Sequence, residues 1–480
     1  MTEPRVNSLV SILAVALAAA GLSGCKSFEP KPLAPAESGA ALENRTLDDP
    51  ALRDFIAANS GRPLDAWPPS RWDFTALTLA ACYYHPSLAS ARAQWHVAQA
   101  EVVTTGGRPN PTVGVTPGYN FNPASGVTPW LPAVTFDLPI ETAGKRGYRI
   151  AKARHLAESA RLRIASVAWQ VRRNLRASLI DFATAGAREA LLAAQEKVQT
   201  EIVRRLEQRL AAGAVSPVEV TQARVTLNKT RVDSQDTRAK RAEARARVAE
   251  AIGVPLRALD GVELAFEVEP RPVAAGDLTA TELRRVALQS RADVLAALAE
   301  YEASQSALQL EIAKQYPDVH LGTGYQWDQS ESKWQLGLSA ELPVLNRNQG
   351  PIAESEARRA EAATRVVATQ ASVIAQIDTA TAGWRALQSQ LATLDELVSG
   401  QQRLLDSVRG QAQAGAADPL DVFLAELEAG QVRLARLEGA AKAWRVFGQL
   451  EDALQRPVDS INWRQIEEGT ALQIRKESKP

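Results

Sequence analysis

Ala212-Gly213-Ala214-Val215-Ser216-Pro217-Val218-Glu219-Val220 returns as Ala414-Gly415-Ala416-Ala417-Asp418-Pro419-Leu420-Asp421-Val422, 202 residues further on. A glycine that stops one helix and a proline four residues later that opens the next read as a tight turn between two helices. Two more echoes lie upstream. Arg108-Pro109-Asn110-Pro111-Thr112-Val113 matches Lys314-Gln315-Tyr316-Pro317-Asp318-Val319, so that Pro111 falls on Pro317 at a shift of 206, and Tyr119 meets Tyr325 at the same shift. Asp137-Leu138-Pro139-Ile140 matches Glu341-Leu342-Pro343-Val344 at a shift of 204. Three anchors in one order at nearly one shift mark a duplicated half-molecule. Its unit of about 200 residues is too long for a solenoid repeat.

Each half follows one grammar. A helix comes first, over 73–105 and 280–314, and a proline follows its end. Two short strands come next, 112–121 with 131–140 and then 318–327 with 333–343. A very long helix follows, 148–212 and 351–414, and after the glycine turn a shorter one, 217–251 and 419–454. The long helix spans on the order of 95 Å at 1.5 Å per residue. The two shorter helices of each half, end to end, have about the same length and pack naturally alongside it. Leu391, Leu394, Val398, Leu405 and Val408 hold heptad positions, with Gln401 interrupting one.

The strands alternate. Trp334, Leu336, Leu338, Ala340 and Leu342 share one side; Gln335, Gly337, Ser339 and Glu341 share the other. Val134, Phe136, Leu138 and Ile140 repeat the pattern, as do Val113, Val115, Tyr119 and Phe121. Such alternation suits a membrane barrel strand and equally a hairpin on a soluble core. Trp130, Trp327 and Trp334 lie near strand ends, where interfacial aromatics belong. Four strands cannot close a barrel in lipid, because open edges leave backbone groups unsatisfied. A membrane reading therefore requires strands pooled from several copies.

Arg5 precedes the apolar run Leu9 to Leu22, which is too short to span a bilayer and fits a secretory signal. Leu22-Ser23-Gly24-Cys25 resembles a bacterial lipobox, which implies cleavage before Cys25 and a covalent lipid on it. Lys26, where aspartate would favour retention in the inner membrane, implies delivery to the outer membrane. The chain divides into a signal peptide (1–24), a lipidated tether (25–70), a first repeat (71–255), a linker (256–279), a second repeat (280–455) and a tail (456–480).

Lys and Arg number 55, as do Asp and Glu, so there is no basic footprint for nucleic acid. Cys82 sits in the apolar stretch Leu77 to Tyr84 and reads as a buried small hydrophobe. The histidines at 85, 96, 155 and 320 show no metal-ligand spacing. With no phosphate loop and no nucleophile motif either, the chain does not read as an enzyme, and no cofactor is expected beyond the lipid.

From about residue 70 to 455 the pattern resembles the TolC family of outer-membrane efflux channels. That resemblance implies a mainly α protein with a membrane β-barrel part. A homotrimer would form one 12-stranded barrel continued by a long α-helical periplasmic tunnel. Ile140-Glu141-Thr142-Ala143-Gly144-Lys145-Arg146-Gly147 and Leu342-Pro343-Val344-Leu345-Asn346-Arg347-Asn348-Gln349-Gly350 are similar to segments of the CzcC-like, heavy-metal efflux branch. His85-Pro86 and Arg291-Ala292-Asp293 depart from the family's Asn-Pro and Arg-Pro-Asp marks. Lys145 and Arg146 read as a solvated bend near lipid head groups. The implied function is a passive export duct for metal cations or other toxic compounds. A resistance-nodulation-division inner-membrane pump would drive it through a periplasmic adaptor that meets the tips at Gly213, Pro217, Gly415 and Pro419. Asp421 aligns with a family position that forms an acidic gate ring, although Leu424 stands at the second such position. Asp421 serves equally as a first-turn acid, and Asp418 as either gate or helix N-cap. A periplasmic coiled-coil scaffold or adaptor lipoprotein is the rival reading.

Overall fold

The computed structural model describes residues 26–61, 66–266, 268, 280–328 and 331–457. The expected signal peptide, Cys25, most of the expected tail and part of the expected linker lie outside the described residues. Of the described residues, 26–45 fall in one unit, which holds helix α1 (Pro35–Glu43). Everything from Thr46 on forms the other.

The expected tether is corrected here. Helix α2 (Pro50–Asn59) belongs to the main unit and buries Leu52, Phe55 and Ile56 in its core. That spacing gives one apolar helical face, and Asp49 caps the helix by accepting from the Ala51 N–H at 2.8 Å. The Tyr84 hydroxyl ties the segment down by donating to the Thr46 carbonyl at 2.8 Å.

Both expected first helices are broken. Strand β1 (Arg71–Asp73) precedes α3 (Phe74–Tyr84) and α4 (Pro86–Thr105), and the second half has α7 (Ala280–Ser290) and α8 (Ala292–Ala313). Pro86 forces His85 into the extended region, at φ −67° and ψ 125°. Arg291 adopts the same geometry, φ −67° and ψ 131°, with no proline after it. Its buried guanidinium enforces the break, donating to the Ala453 carbonyl at 2.8 Å, to Gln376 at 2.9 Å and to both oxygens of Asp293.

The hairpins follow. In the first half strands β2 (Thr112–Tyr119) and β3 (Trp130–Ile140) lead into α5 (Lys145–Ala211) and α6 (Pro217–Ile252). Then come a 3-10 turn (Leu256–Leu259) and strand β4 (Glu263–Ala265), which pairs in parallel with β1. In the second half β5 (Val319–Asp328) and β6 (Glu331–Ala340) lead into α9 (Gln349–Gln413) and α10 (Pro419–Leu454). β6 ends before Leu342, short of the expected 343. With 67 residues, α5 is roughly 100 Å long.

The end-to-end stacking of short helices is visible at both joints. Gly253, which closes α6 at φ +88°, abuts the His85 backbone, where an added Cβ would come within 3.0 Å. Gln455, which closes α10, accepts from the Ala292 N–H at 3.0 Å. Near the tips the helices pack in the order α6–α5–α10–α9, and toward the strands α4–α5–α8–α9. Midway a belt of α2, α3, β1, β4 and the 3-10 turn packs on α5 and α6 through Trp72, Leu77, Leu175, Leu179, Val248 and Leu259. A smaller patch on the second half joins α7 to α9 and α10 through Leu283, Ile377 and Leu450.

Candidate functional site

Strands β2, β3, β5 and β6 form one antiparallel sheet in that order. Its register puts Val113, Val115 and Tyr119 opposite Phe136, Val134 and Trp130, and it continues Val134 to Tyr325 and Tyr325 to Trp334. One face is therefore apolar from edge to edge. It is also uncovered: Val115 is 70% exposed, Trp334 79% and Leu338 73%. The other face carries Thr135, Asp137, His320, Gln326, Lys333, Gln335 and Ser339. There His320 Nδ1 lies 2.9 Å from Asp137 Oδ2. Greasy outside and polar inside is the arrangement of a barrel wall in lipid.

Trp130, Trp327 and Trp334 gather at a single end of the sheet, the hairpin end. Tyr119 meets Trp130 edge-on at 5.1 Å between centroids, and Tyr325 lies tilted against Trp334 at 5.0 Å. The opposite end is basic and tied. Lys145 is not part of a solvated bend, which corrects the expectation. It is buried, and its Nζ donates to the Tyr316 carbonyl at 2.7 Å and to Asp318 at 2.8 Å. Thr142 adds bonds from its N–H to Asp318 (2.9 Å) and from its hydroxyl to the Pro317 carbonyl (2.6 Å). This neck joins the first half to the second. Its importance was hidden because Asp318 is 173 positions away in sequence. Arg146 is exposed and donates to the Gly106 carbonyl at 2.6 Å.

Halfway down, α5 and α10 share buried charge. Arg172 and Arg176 both reach Glu451, at 2.6 and 2.7 Å, and Arg172 also lies over the Phe74 ring at 4.7 Å. Beside them a recess of about 650 Å³ opens between α5, α9 and α10, lined by Arg173, Arg176, Gln376, Arg445 and Asp452 among others. Burial there pushes the Asp452 carboxyl above its usual range.

At the far end the two turns are alike. Gly213 and Gly415 take φ of +72° and +75°, and the next residues, Ala214 and Ala416, return hydrogen bonds to Arg209 and Gln411. Ser216 and Glu219 form a capping box over Pro217, and Asp418 and Asp421 form one over Pro419. The Asp421 carboxylate accepts from the Asp418 N–H at 3.1 Å. Asp418 caps Leu420 at 2.8 Å and is paired with Arg209 of α5, a partner the sequence did not announce. That guanidinium, with the Leu420 N–H, holds Asp418 below the usual carboxylate range.

Cys82 is buried, and desolvation pushes its thiol up to about 11, so it is inert at neutral pH. Among the described residues no group of three or more His, Cys, Asp or Glu side chains is placed to hold a metal ion. None of the helices there is long and apolar enough to cross a membrane.

Similarity to known proteins follows the same geometry. The cobalt-zinc-cadmium resistance protein CzcC of Cupriavidus metallidurans is 24% identical over 323 residues, covering 67% of this chain and 76% of that protein. The outer membrane protein VceC of Vibrio cholerae superposes with a TM-score of 0.65 at 20% identity, over 80% of this chain and 97% of its own. CusC, described as forming a transmembrane channel, superposes with a TM-score of 0.64 at 17% identity, over 82% and 95%. The profile of the outer membrane efflux protein family matches residues 81–254 and 283–453, which takes in the strands and hairpins of both halves. The chain therefore belongs to the outer membrane efflux protein family, a family of efflux ducts of the outer membrane.

Proposed function

We propose that three copies of this chain pool their sheets into a twelve-stranded barrel and their hairpins into a tunnel reaching the periplasm. The observation that carries this reading is the four-stranded sheet with one uncovered apolar face and two unpaired edges, β2 and β6. An isolated sheet of this kind is unstable in lipid, since each edge leaves N–H and C=O groups without partners. Closure with further copies removes both edges.

The duct passes its cargo without chemistry. An inner-membrane pump of the resistance-nodulation-division type supplies the energy, and a periplasmic adaptor docks at the two tips around Gly213–Pro217 and Gly415–Pro419. The relationship to a cobalt-zinc-cadmium resistance protein favours metal cations as cargo. The lipobox favours an acyl anchor on Cys25. Asp421 and Asp418 are the gate candidates, with Arg209 as the tie that closing would use.

The test is oligomer mass in detergent together with single-channel conductance in planar bilayers. A conducting trimer is expected, and a non-conducting monomer overturns the reading. In the trimer, Asp421→Ala should keep the mass and raise both conductance and antibiotic entry. Unchanged values would remove Asp421 from the gate.

A further inference from the structure

We propose that the recess between α5, α9 and α10 is a binding site for a small organic anion, a carboxylate or sulfonate on an apolar body, set in the wall of the duct. Its place in the duct wall rests on the trimer reading; the recess and its charge do not.

The recess exists because its walls are small. Ala177 of α5, Ala375 and Ala380 of α9 and Ala453 of α10 line it. Each ends at Cβ, so the three helices leave between them about 650 Å³ that no side chain fills. Small-molecule sites commonly enclose roughly 300–1,000 Å³ within mostly apolar walls that carry a few placed polar groups. The walls are also fixed. Arg291 donates to the Ala453 carbonyl at 2.8 Å and to the Gln376 side chain at 2.9 Å, and both of those residues line the recess. Arg176, on the α5 side, is held by the Gly448 carbonyl at 2.8 Å.

Charge selects the ligand. Three guanidiniums line the recess, those of Arg173, Arg176 and Arg445, against one carboxylate, that of Asp452. Arg176 is already engaged by Glu451 and Asp452, both at 2.7 Å. Arg445 is engaged by Asp181 at 2.8 Å. Arg173 is left over. It is exposed and near enough to act on the Asp452 carboxyl, but it makes no hydrogen bond or ion pair with any described residue. An anion entering the recess meets an unmatched planar donor beside apolar walls, and a cation of the same shape meets repulsion.

The recess opens on a definite side. On α5, Leu175 and Leu179 face the belt. Arg173 and Ala177 each stand two residues before one of them, which at roughly 100° per residue is the opposite side of the helix. On α9, Ile377 faces α7, and Ala375 and Thr379 stand two residues to either side of it. The belt and α7 therefore cover one face of the helix layer, and the recess opens on the other. Elements packed across a duct would plug it, so in the trimer the belt-free face lines the duct and each copy contributes one recess.

The experiment uses the full-length protein in phospholipid nanodiscs, titrated by calorimetry with 2-naphthalenesulfonate. The matched probes are 1-naphthylmethylammonium, which has the apolar body with the opposite charge, and sulfate, which has the charge without the body. Wild-type protein should bind the sulfonate, and each matched probe at least roughly tenfold more weakly. Arg173→Gln removes the unmatched guanidinium, and Ala177→Trp fills the recess, both at exposed positions. Each should weaken the sulfonate at least roughly tenfold, about the loss of one charge-assisted hydrogen bond. No binding by wild type, or equal binding by wild type and both variants, overturns the site. Equal binding of the naphthylmethylammonium overturns the choice of an anion. Mass in detergent and single-channel current then test the placement. In a conducting trimer the sulfonate should lower the wild-type current and spare that of Arg173→Gln. Binding without any change in current overturns the place in the duct wall. A monomer that still binds overturns the trimer reading and leaves the site standing.

Discussion

The two halves of this chain share a grammar but not a burden. The first long helix, α5, buries nineteen of its residues; the second, α9, of almost the same length, buries six. The cause is position. α5 is flanked on both sides by helices of its own chain, while α9 has one flank open. The same inequality appears at the neck. Lys145 at the start of α5 is buried and bound to Asp318 of the other half, whereas its repeat equivalent, Gln349 at the start of α9, is exposed and accepts from the Arg347 N–H two residues back. One duplicated sequence has thus specialised into an inner half that holds the chain together and an outer half that presents a free flank.

The largest effect should come from the neck. Lys145→Met removes a buried ammonium and leaves Asp318 and the Tyr316 carbonyl without it. Lys145 is buried but Asp318 is more than a third exposed and keeps the Thr142 N–H, so the loss costs about 2 kcal/mol. Gln349→Met, the equivalent change, should leave the folded monomer almost untouched. The measurement is the temperature at which each variant loses its heat-modifiable mobility in detergent. Equal shifts would mean that the halves are equivalent after all.

The next test is at the belt. Gly448 of α10 has Ala246 of α6 as its repeat equivalent. A Cβ at Gly448 would lie 2.4 Å from Nε of Arg176, which is buried and fixed by Glu451. Gly448→Ala should therefore cost about 1–3 kcal/mol by overpacking. Ala246→Gly, at an exposed site, should cost about 1 kcal/mol through helix propensity alone. Thermal unfolding followed by circular dichroism separates them.

How much of this was legible beforehand follows from the range of each interaction. The duplication, the turns at Gly213 and Gly415 and the alternation of the strands are local or repeated signals, and a sequence displays those. The break at Arg291 is not local: no proline announces it, and its causes are the Ala453 carbonyl and Gln376 on other helices. Pro86 did announce the break at His85, but continuous apolar spacing masked it. The segment 46–59 looked like a tether because proline and charge surround Leu52, Phe55 and Ile56, whose helical spacing was the available signal. At the tips the glycine, proline and capping residues could be read directly, but the Arg209 pairing could not, because 209 positions separate Arg209 from Asp418.

That pairing gives the finest contrast between the halves. Both tips carry capping boxes, but only the second is also held by an arginine from α5. Glu219, bonded by the Ser216 N–H and hydroxyl, and Asp418, paired with Arg209, are both held below their ordinary values of 4.5 and 3.8. A lowered carboxylate stabilises the folded form above its ordinary value, and that contribution disappears as pH falls through the lowered one. Both capping boxes should accordingly hold across neutral pH and loosen together only below about pH 4. Asp418→Asn separates the two contributions, since asparagine still caps a helix but cannot form an ion pair. At neutral pH the amides of Leu420 and Asp421 should then exchange faster, by less than roughly tenfold for an exposed pair, while those of Val218 and Glu219 keep their wild-type rates. Equal acceleration at both tips would mean that the hairpins open as one body and that Arg209 binds them together. No change at either would leave the capping box as the whole of the second tip's stability, which would make the two tips equal where the rest of the halves are not.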